Sequence, residues 1–266
     1  MRLRLAVSVA ALTFAILGAL YAQKPFREYQ GSEYTNFPLP PDWQEKTEFS
    51  RARLHYNSIR MYRRWGGGSW TIDYPRSDRH LLAGIRRLTR IHTRSVEQVV
   101  DLDDPEEVYN WPFLYAVEVG TWDLNDDQAK RLRDYLLHGG FLMVDDFHGT
   151  QEWEIFMLSM GKVFPDRPVV DLDNKDPIFH ALYDLDERFQ VPGAQWFQTG
   201  RMYERDGIEP RWRGIYDDKG RVLVAICHNM DLGDAWEWSD DPAYPEKWAS
   251  LAYRIAVNYT IYAMTH

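Results

Sequence analysis

The feature that most narrows the fold is the alternation of strand-like and helix-like segments from Phe49 onward. Phe49 to Tyr56 alternates apolar and polar positions, which predicts a strand, and Val96 to Leu102 predicts another. Phe113 to Val119 is almost wholly apolar, the pattern of a strand covered on both faces. Leu81, Leu82, Ile85 and Leu88 recur at helical spacing, with Ser77 or Asp78 as candidate N-cap. A helix over 126–138 carries signals at both ends. Asn125 and Gln128 form a capping-box pair, Leu124 and Ala129 stand at the staple positions, and Gly139-Gly140 ends it. Phe141 to Val144 predicts a short buried strand running into Asp145-Asp146-Phe147-His148-Gly149. Arg213 to Tyr216 and Arg221 to Cys227 flank Asp217-Asp218-Lys219-Gly220, a hairpin turn. Pro245 opens a closing helix whose Trp248, Leu251, Ala252, Ile255, Tyr259 and Tyr262 form an apolar stripe. Repeated strand–helix–strand units imply an α/β fold: a mostly parallel sheet with helices on both faces, an added β-hairpin and a C-terminal helix. Ligands of such sheets sit beyond the carboxyl ends of the strands.

The segments before this domain predict an address. Arg2 and Arg4 precede an apolar stretch from Leu5 to Leu20, so residues 1–22 read as a signal peptide or membrane anchor. Leu20 and Tyr21 make a poor cleavage site, which leaves both forms open. Residues 23–48, with Pro25, Pro38, Pro40 and Pro41, read as a linker, and 49–266 as one domain. The expected location is exported, periplasmic or anchored facing the periplasm, with membrane contact only through the N-terminal segment. Lone Cys227 excludes an intrachain disulfide framework, so a core must hold the domain together. The net charge of −9 becomes −11 without Arg2 and Arg4, and argues against a nucleic-acid partner.

Three clusters carry candidate chemistry. The first is Arg60, Arg63, Arg64, then Gly66, Gly67 and Gly68, then Trp70, Asp73 and Asp78 ahead of a helix. Glycine backbone, arginines and a helix N-terminus suit an anion, yet a flexible turn with ordinary capping uses the same residues. No nucleotide-binding glycine motif is present. The second is Asp145, Asp146 and His148, suited to a hard divalent ion or to acid–base work. Adjacent strand residues point to opposite faces, so only one of the two acids easily faces a shared site. The third is the loop His228-Asn229-Met230-Asp231-Leu232-Gly233-Asp234-Ala235-Trp236-Glu237. Its spacing is no zinc signature, and Asn and Asp also serve as turn formers. Cys227 reads as a buried strand residue rather than a nucleophile.

The runs Trp70-x-x-Asp73-Tyr74-Pro75-x-x-Asp78, Gly139 to Asp146, and Asn229-x-Asp231-Leu232-Gly233-Asp234-Ala235-Trp236 together resemble the bacterial family called domain of unknown function 4159, over about residues 49–266. The resemblance implies the class I glutamine-amidotransferase-like superfamily and its three-layer, flavodoxin-like fold. In class I amidotransferases the corresponding strand ends in Gly-x-Cys-x-Gly, whereas here it continues as Val144-Asp145-Asp146-Phe147-His148-Gly149. An acid cannot form the thioester of glutamine hydrolysis, so glutaminase activity is not expected.

The leading expectation is an exported domain that binds a small ligand or an envelope protein partner at the carboxyl edge of the sheet. Arg63, Arg64, the three glycines, Trp70, Asp73, Asp78, Trp122, Asn229 and Trp236 are its candidate ligand-binding residues. One alternative is a hydrolase using Asp145, Asp146, His148, His228, Asp231 and Asp234, with no required cofactor but with room for a divalent metal. The other is a carbohydrate-binding module. The chain holds 11 Trp, 16 Tyr and 12 Phe, and that module requires flat exposed faces on Trp65, Trp70, Trp122 or Trp236.

Overall fold

A computed structural model describes residues 25–34, 36–59 and 70–266. Residues 1–22, read above as a signal peptide or anchor, and Arg60, Arg63, Arg64, Trp65 and the three glycines fall outside the described residues.

The chain forms a mixed α/β domain around one seven-stranded sheet. In chain order its elements begin with β1 (Ala52–His55), α1 (Arg76–Leu88), β2 (Gln98–Asp101) and β3 (Phe113–Val117). Then come α2 (Asp126–Leu137), β4 (Phe141–Asp145), α3 (Gly149–Val163), β5 (Val170–Asp171) and α4 (Gln195–Thr199). The chain ends with β6 (Arg211–Tyr216), β7 (Val222–His228), α5 (Leu232–Glu237) and α6 (Glu246–Thr265). The strand order is β2-β1-β3-β4-β7-β6-β5. The first five of these run parallel, and β6 pairs antiparallel with both β7 and β5. The expected hairpin is therefore built into the sheet: β7 lies against β4, and β6 extends the sheet beyond it.

Helices cover both faces, because strand side chains alternate and each set needs an apolar partner. Phe113, Tyr115, Phe141, Met143 and Cys227 face Leu81 and Ile85 of α1 and Leu251, Ile255 and Tyr259 of α6. Leu114, Ala116, Leu142, Val144 and Ile226 face Ala129, Leu132 and Leu136 of α2 and Phe156, Met160 and Val163 of α3. Right-handed crossovers explain the division: the chain steps one way from β1 to β2 and the other way from β3 to β4 and on to β7.

Local signals match the elements closely at α2, where the Asn125 side chain accepts from Gln128 N and the Gln128 side chain from Asn125 N. At α1 the expected N-cap is corrected. Pro75 occupies that position, Ser77 accepts from Arg53, and Asp78 is fully buried against the same guanidinium. The Asp231–Glu237 stretch is corrected from loop to helix: the Asp231 side chain accepts from Asp234 N and starts α5.

Residues 25–48 contain no helix or strand among those described, and they lie fastened along the domain. Arg79 donates to Phe37 and Pro38 carbonyls, Arg86 pairs with Asp42 and Glu45, and Tyr29 N donates to the Tyr74 hydroxyl. No described helix is long and apolar enough to cross a membrane.

Candidate functional site

Three neighbouring parallel strands end in the same way. Immediately past β3, β4 and β7 stand Glu118, Asp146 and Asn229, with φ of 54°, 52° and 65°. Such left-handed backbone is uncommon for residues other than glycine, and it turns each chain sharply off the sheet edge. Asp73 has φ 58° and lies in the connection after β1. The turns at Glu118, Asp146 and Asp73 border a cleft of about 380 Å³.

The cleft is acidic on every side. Glu118 and Asp146 come from the ends of β3 and β4, and Asp73 from the approach to α1. Asp231, Asp234 and Glu237 come from α5 and its N-cap, Glu204 from the loop before β6, and Glu33 from the N-terminal segment. Among the described residues no Lys, Arg or His lines it.

Hydrogen bonds hold several of these carboxylates in place. Asp73 N donates to Glu33 Oε2 at 2.8 Å, and Tyr34 donates to Glu237. Asp234 Oδ1 accepts from Trp238 Nε1 at 3.2 Å, and its Oδ2 accepts from Ala194 N. Two buried oxygens nearby, Asp73 Oδ2 and Asp145 Oδ1, have no hydrogen-bond partner among the described residues.

Burial and mutual repulsion raise the proton affinity of this cluster. Burial, then Asp234, Glu237 and Asp146, push Asp73 well above the usual carboxylate range. Burial, then Glu204 and Asp234, do the same to Asp146. Asp231 is raised by burial and by Asp146 and Asp234, and Glu118 by burial and Asp146. Burial moves Glu237 up to about 8.

The two adjacent acids divide as strand alternation requires. Asp146 lines the cleft, while Asp145 is fully buried beneath α5. Its Oδ2 accepts from Leu232 N at 2.8 Å, Gly233 N at 3.0 Å and the Tyr115 hydroxyl at 3.2 Å. Burial raises Asp145 to about 7 against the pull of those N–H groups. His148 stands at the cleft's edge, with Nε2 3.1 Å from Asp146 Oδ1, Nδ1 unpartnered, and proton affinity lowered by burial. Asp145 thus positions α5, and Asp146, His148, Asp231 and Asp234 gather around one space.

Other candidates lie elsewhere. The His228 ring packs against Phe147 and Trp153 at 4.8 and 4.9 Å, and its Nε2 meets Gly149 O at 3.2 Å. Asn229 is buried as a brace: Oδ1 accepts from Gly149 N and Nδ2 donates to Glu209 O. Asp78 is corrected from ligand contact to buried ion-pair partner of Arg53 and Arg51. Trp122 and Trp236 are corrected from flat binding faces to core residues. Trp122 stacks on Phe156 at 5.4 Å and Trp236 tilts against Tyr115, and both are at most 1% exposed. Trp70 is half-buried among Tyr29, His55 and Tyr74. Cys227 is buried, which pushes its thiol well above the usual range.

Sequence reasoning missed Glu118, Glu204 and Glu33. Glu118 lies inside the run 113–119 read as one strand, whereas the strand ends at Val117, so the strand-end rule finds Glu118 only once that end is known. Nothing local marks Glu33 or Glu204. Residues 51–264 match the family model described as Domain of unknown function (DUF4159), and no curated protein matches the chain.

Proposed function

We propose, on the premise that this chain belongs to the DUF4159 family, that it is a binding domain taking a positively charged ligand into the acidic cleft. Glutamine hydrolysis is not its chemistry. One observation carries the reading: carboxylates from six separate segments converge on one cleft, several of them buried, and burial with mutual repulsion raises their proton affinity. A bound cation relieves that repulsion at several groups at once, and its field is strong where water is scarce.

The finer fold reading supports the same site. Parallel strands in the order β2-β1-β3-β4-β7 follow the flavodoxin-like order, whose ligands bind where the order reverses beside the first strand. On an amidotransferase-like reading, Asp146 stands where the nucleophilic cysteine would, on a sharp turn between β4 and α3. A carboxyl supplies no thiolate, and Cys227 is buried and does not line the cleft. Export to the envelope belongs to this proposal on the strength of residues 1–22.

A hydrolase is the second reading, favoured by His148. Burial lowers its proton affinity, and its Nε2 stands 3.1 Å from Asp146 Oδ1, whose residue lines the cleft.

Thermal unfolding of the full chain at pH 8 tests the binding reading, with CaCl2, MgCl2, MnCl2 and spermidine compared with KCl at equal ionic strength. Ligand at a hundredfold excess over Kd adds about 2.7 kcal/mol, or roughly 5–10 °C for a domain this size. No saturable rise with any cation refutes it. Release of ammonia from glutamine would refute the exclusion of glutaminase.

A further inference from the structure

We infer that Asp73, Asp231 and Asp234 bind one hard divalent cation within the cleft; the inference rests on the cationic-ligand reading and names the class of ligand. One oxygen from each of these residues lies within 4.8 Å of the other two. Oxygens stand about 2.3–2.6 Å from a bound Ca²⁺, so those on opposite sides of the ion are roughly 5 Å apart. Three oxygens at this spacing fit one coordination sphere.

A second observation is independent of the clustering. Asp73 is 3% exposed, and its Oδ2 has no hydrogen-bond partner among the described residues. A buried carboxylate oxygen without a donor bears its full desolvation cost, and a cation removes that cost. The surrounding backbone is pared down at the same place. A Cβ on Gly193 would stand 2.4 Å from Asp231 Oδ2 and 2.7 Å from Asp234 Oδ2, and one on Gly233 would stand 2.5 Å from Asp73 Oδ2. A side chain at either glycine would have to displace these carboxylates from their present positions.

The ligand chemistry selects the ion. All three donors are carboxylates, with no imidazole or thiolate in the set, which favours Ca²⁺, Mg²⁺ or Mn²⁺ over zinc or copper. Exposed Glu33 and buried Glu237 form a second close triple with the same Asp73. The hydrogen bonds leave acceptor capacity for the ion. Asp231 Oδ1 holds Asp234 N, while each Asp234 oxygen accepts one bond and keeps a second lone pair.

Calorimetric titration of the full chain with CaCl2 and MnCl2 tests the site, with spermidine as the organic comparison. The expected result is one ion per chain, weakened at least tenfold in Asp73→Asn and in Asp231→Asn. Asp218→Asn, at the exposed turn between β6 and β7, removes the same charge and keeps the wild-type affinity. Terbium luminescence gives a readout that does not depend on the ligand variants folding. Trp238 borders the cleft, so Trp238→Phe lowers the sensitised emission of bound terbium, whereas Trp122→Phe leaves it. Divalent binding that survives both aspartate variants, or emission indifferent to Trp238, overturns the inference. If divalent ions do not bind but spermidine does, the metal site is refuted and the cationic-ligand reading stands. If nothing binds, both fall.

Discussion

Replacing His228 with phenylalanine exchanges one buried ring for another of similar size and removes a group that resists protonation. The ring lies against Phe147 and Trp153, and burial lowers its proton affinity from the ordinary 6.5 to about 4. Its bond to Gly149 O opposes the shift, while Arg213, His148 and Arg211 reinforce it. Between those two values the unfolded chain binds a proton that the native chain refuses, so native stability falls as pH falls. The loss begins near pH 6.5 and is complete below about 4. At about 1.4 kcal/mol per tenfold change, the wild type loses about 2.5 kcal/mol between pH 7.5 and 4.5 through this group. His228→Phe has no such term, but it forfeits the bond to Gly149 O, worth about 1 kcal/mol at neutral pH. The variant is therefore the less stable protein at pH 7.5 and the more stable one at pH 4.5. Urea denaturation of both proteins at pH 7.5, 6, 5 and 4.5 measures the difference, and other titrating groups cancel in the comparison. A difference that stays flat across this range, or one in which acid favours the wild type, refutes the buried, neutral imidazole.

Three further changes test other placements. Trp122→Ala removes a stacked core ring and costs about 3–5 kcal/mol in urea denaturation; stability within 1 kcal/mol or so of wild type refutes its burial. Arg53→Met takes from buried Asp78 its nearer guanidinium, leaving Arg51 at 3.4 Å, and costs about 3 kcal/mol, so a neutral result contradicts the buried pair. Asp145→Asn removes a carboxyl that burial raises from 3.8 to about 7. Here the native chain keeps a proton that the unfolded chain has released, so wild type loses stability relative to the variant as pH rises from about 4 to 7. A gap moving the other way in urea denaturation at pH 4.5, 6 and 7.5 refutes it.

How much of the site was legible depends on the range of the interactions involved. The capping box at Asn125 and Gln128 needs only residues three apart, and it was readable as written. Asp145, Asp146, Asp231 and Asp234 were findable because each follows a strand that its own apolar run announces. Asp78 misled because its partner Arg53 lies 25 residues earlier, and a helix start with an acid looks the same whether or not a guanidinium is buried beneath it. Trp236 misled for a similar reason. The short polar stretch around it resembles a loop, and Asp145, 87 residues before Leu232, joins the Asp231 cap in holding that stretch as a helix, with the indole in the core.

By itself the sequence determined the α/β alternation, the parallel strands and the strand ends from which a site could be built. Hydrophobic period and turn chemistry act over a few residues, and they are written directly in the chain. Tertiary structure alone decided which acids share a space. Glu33 reaches Asp73 across 40 residues, and both meet α5 far later in the chain. A carboxylate's neighbours, and hence its proton affinity and its demand for a cation, are set by packing in three dimensions, because electrostatic energy depends on distance and burial and not on order along the chain.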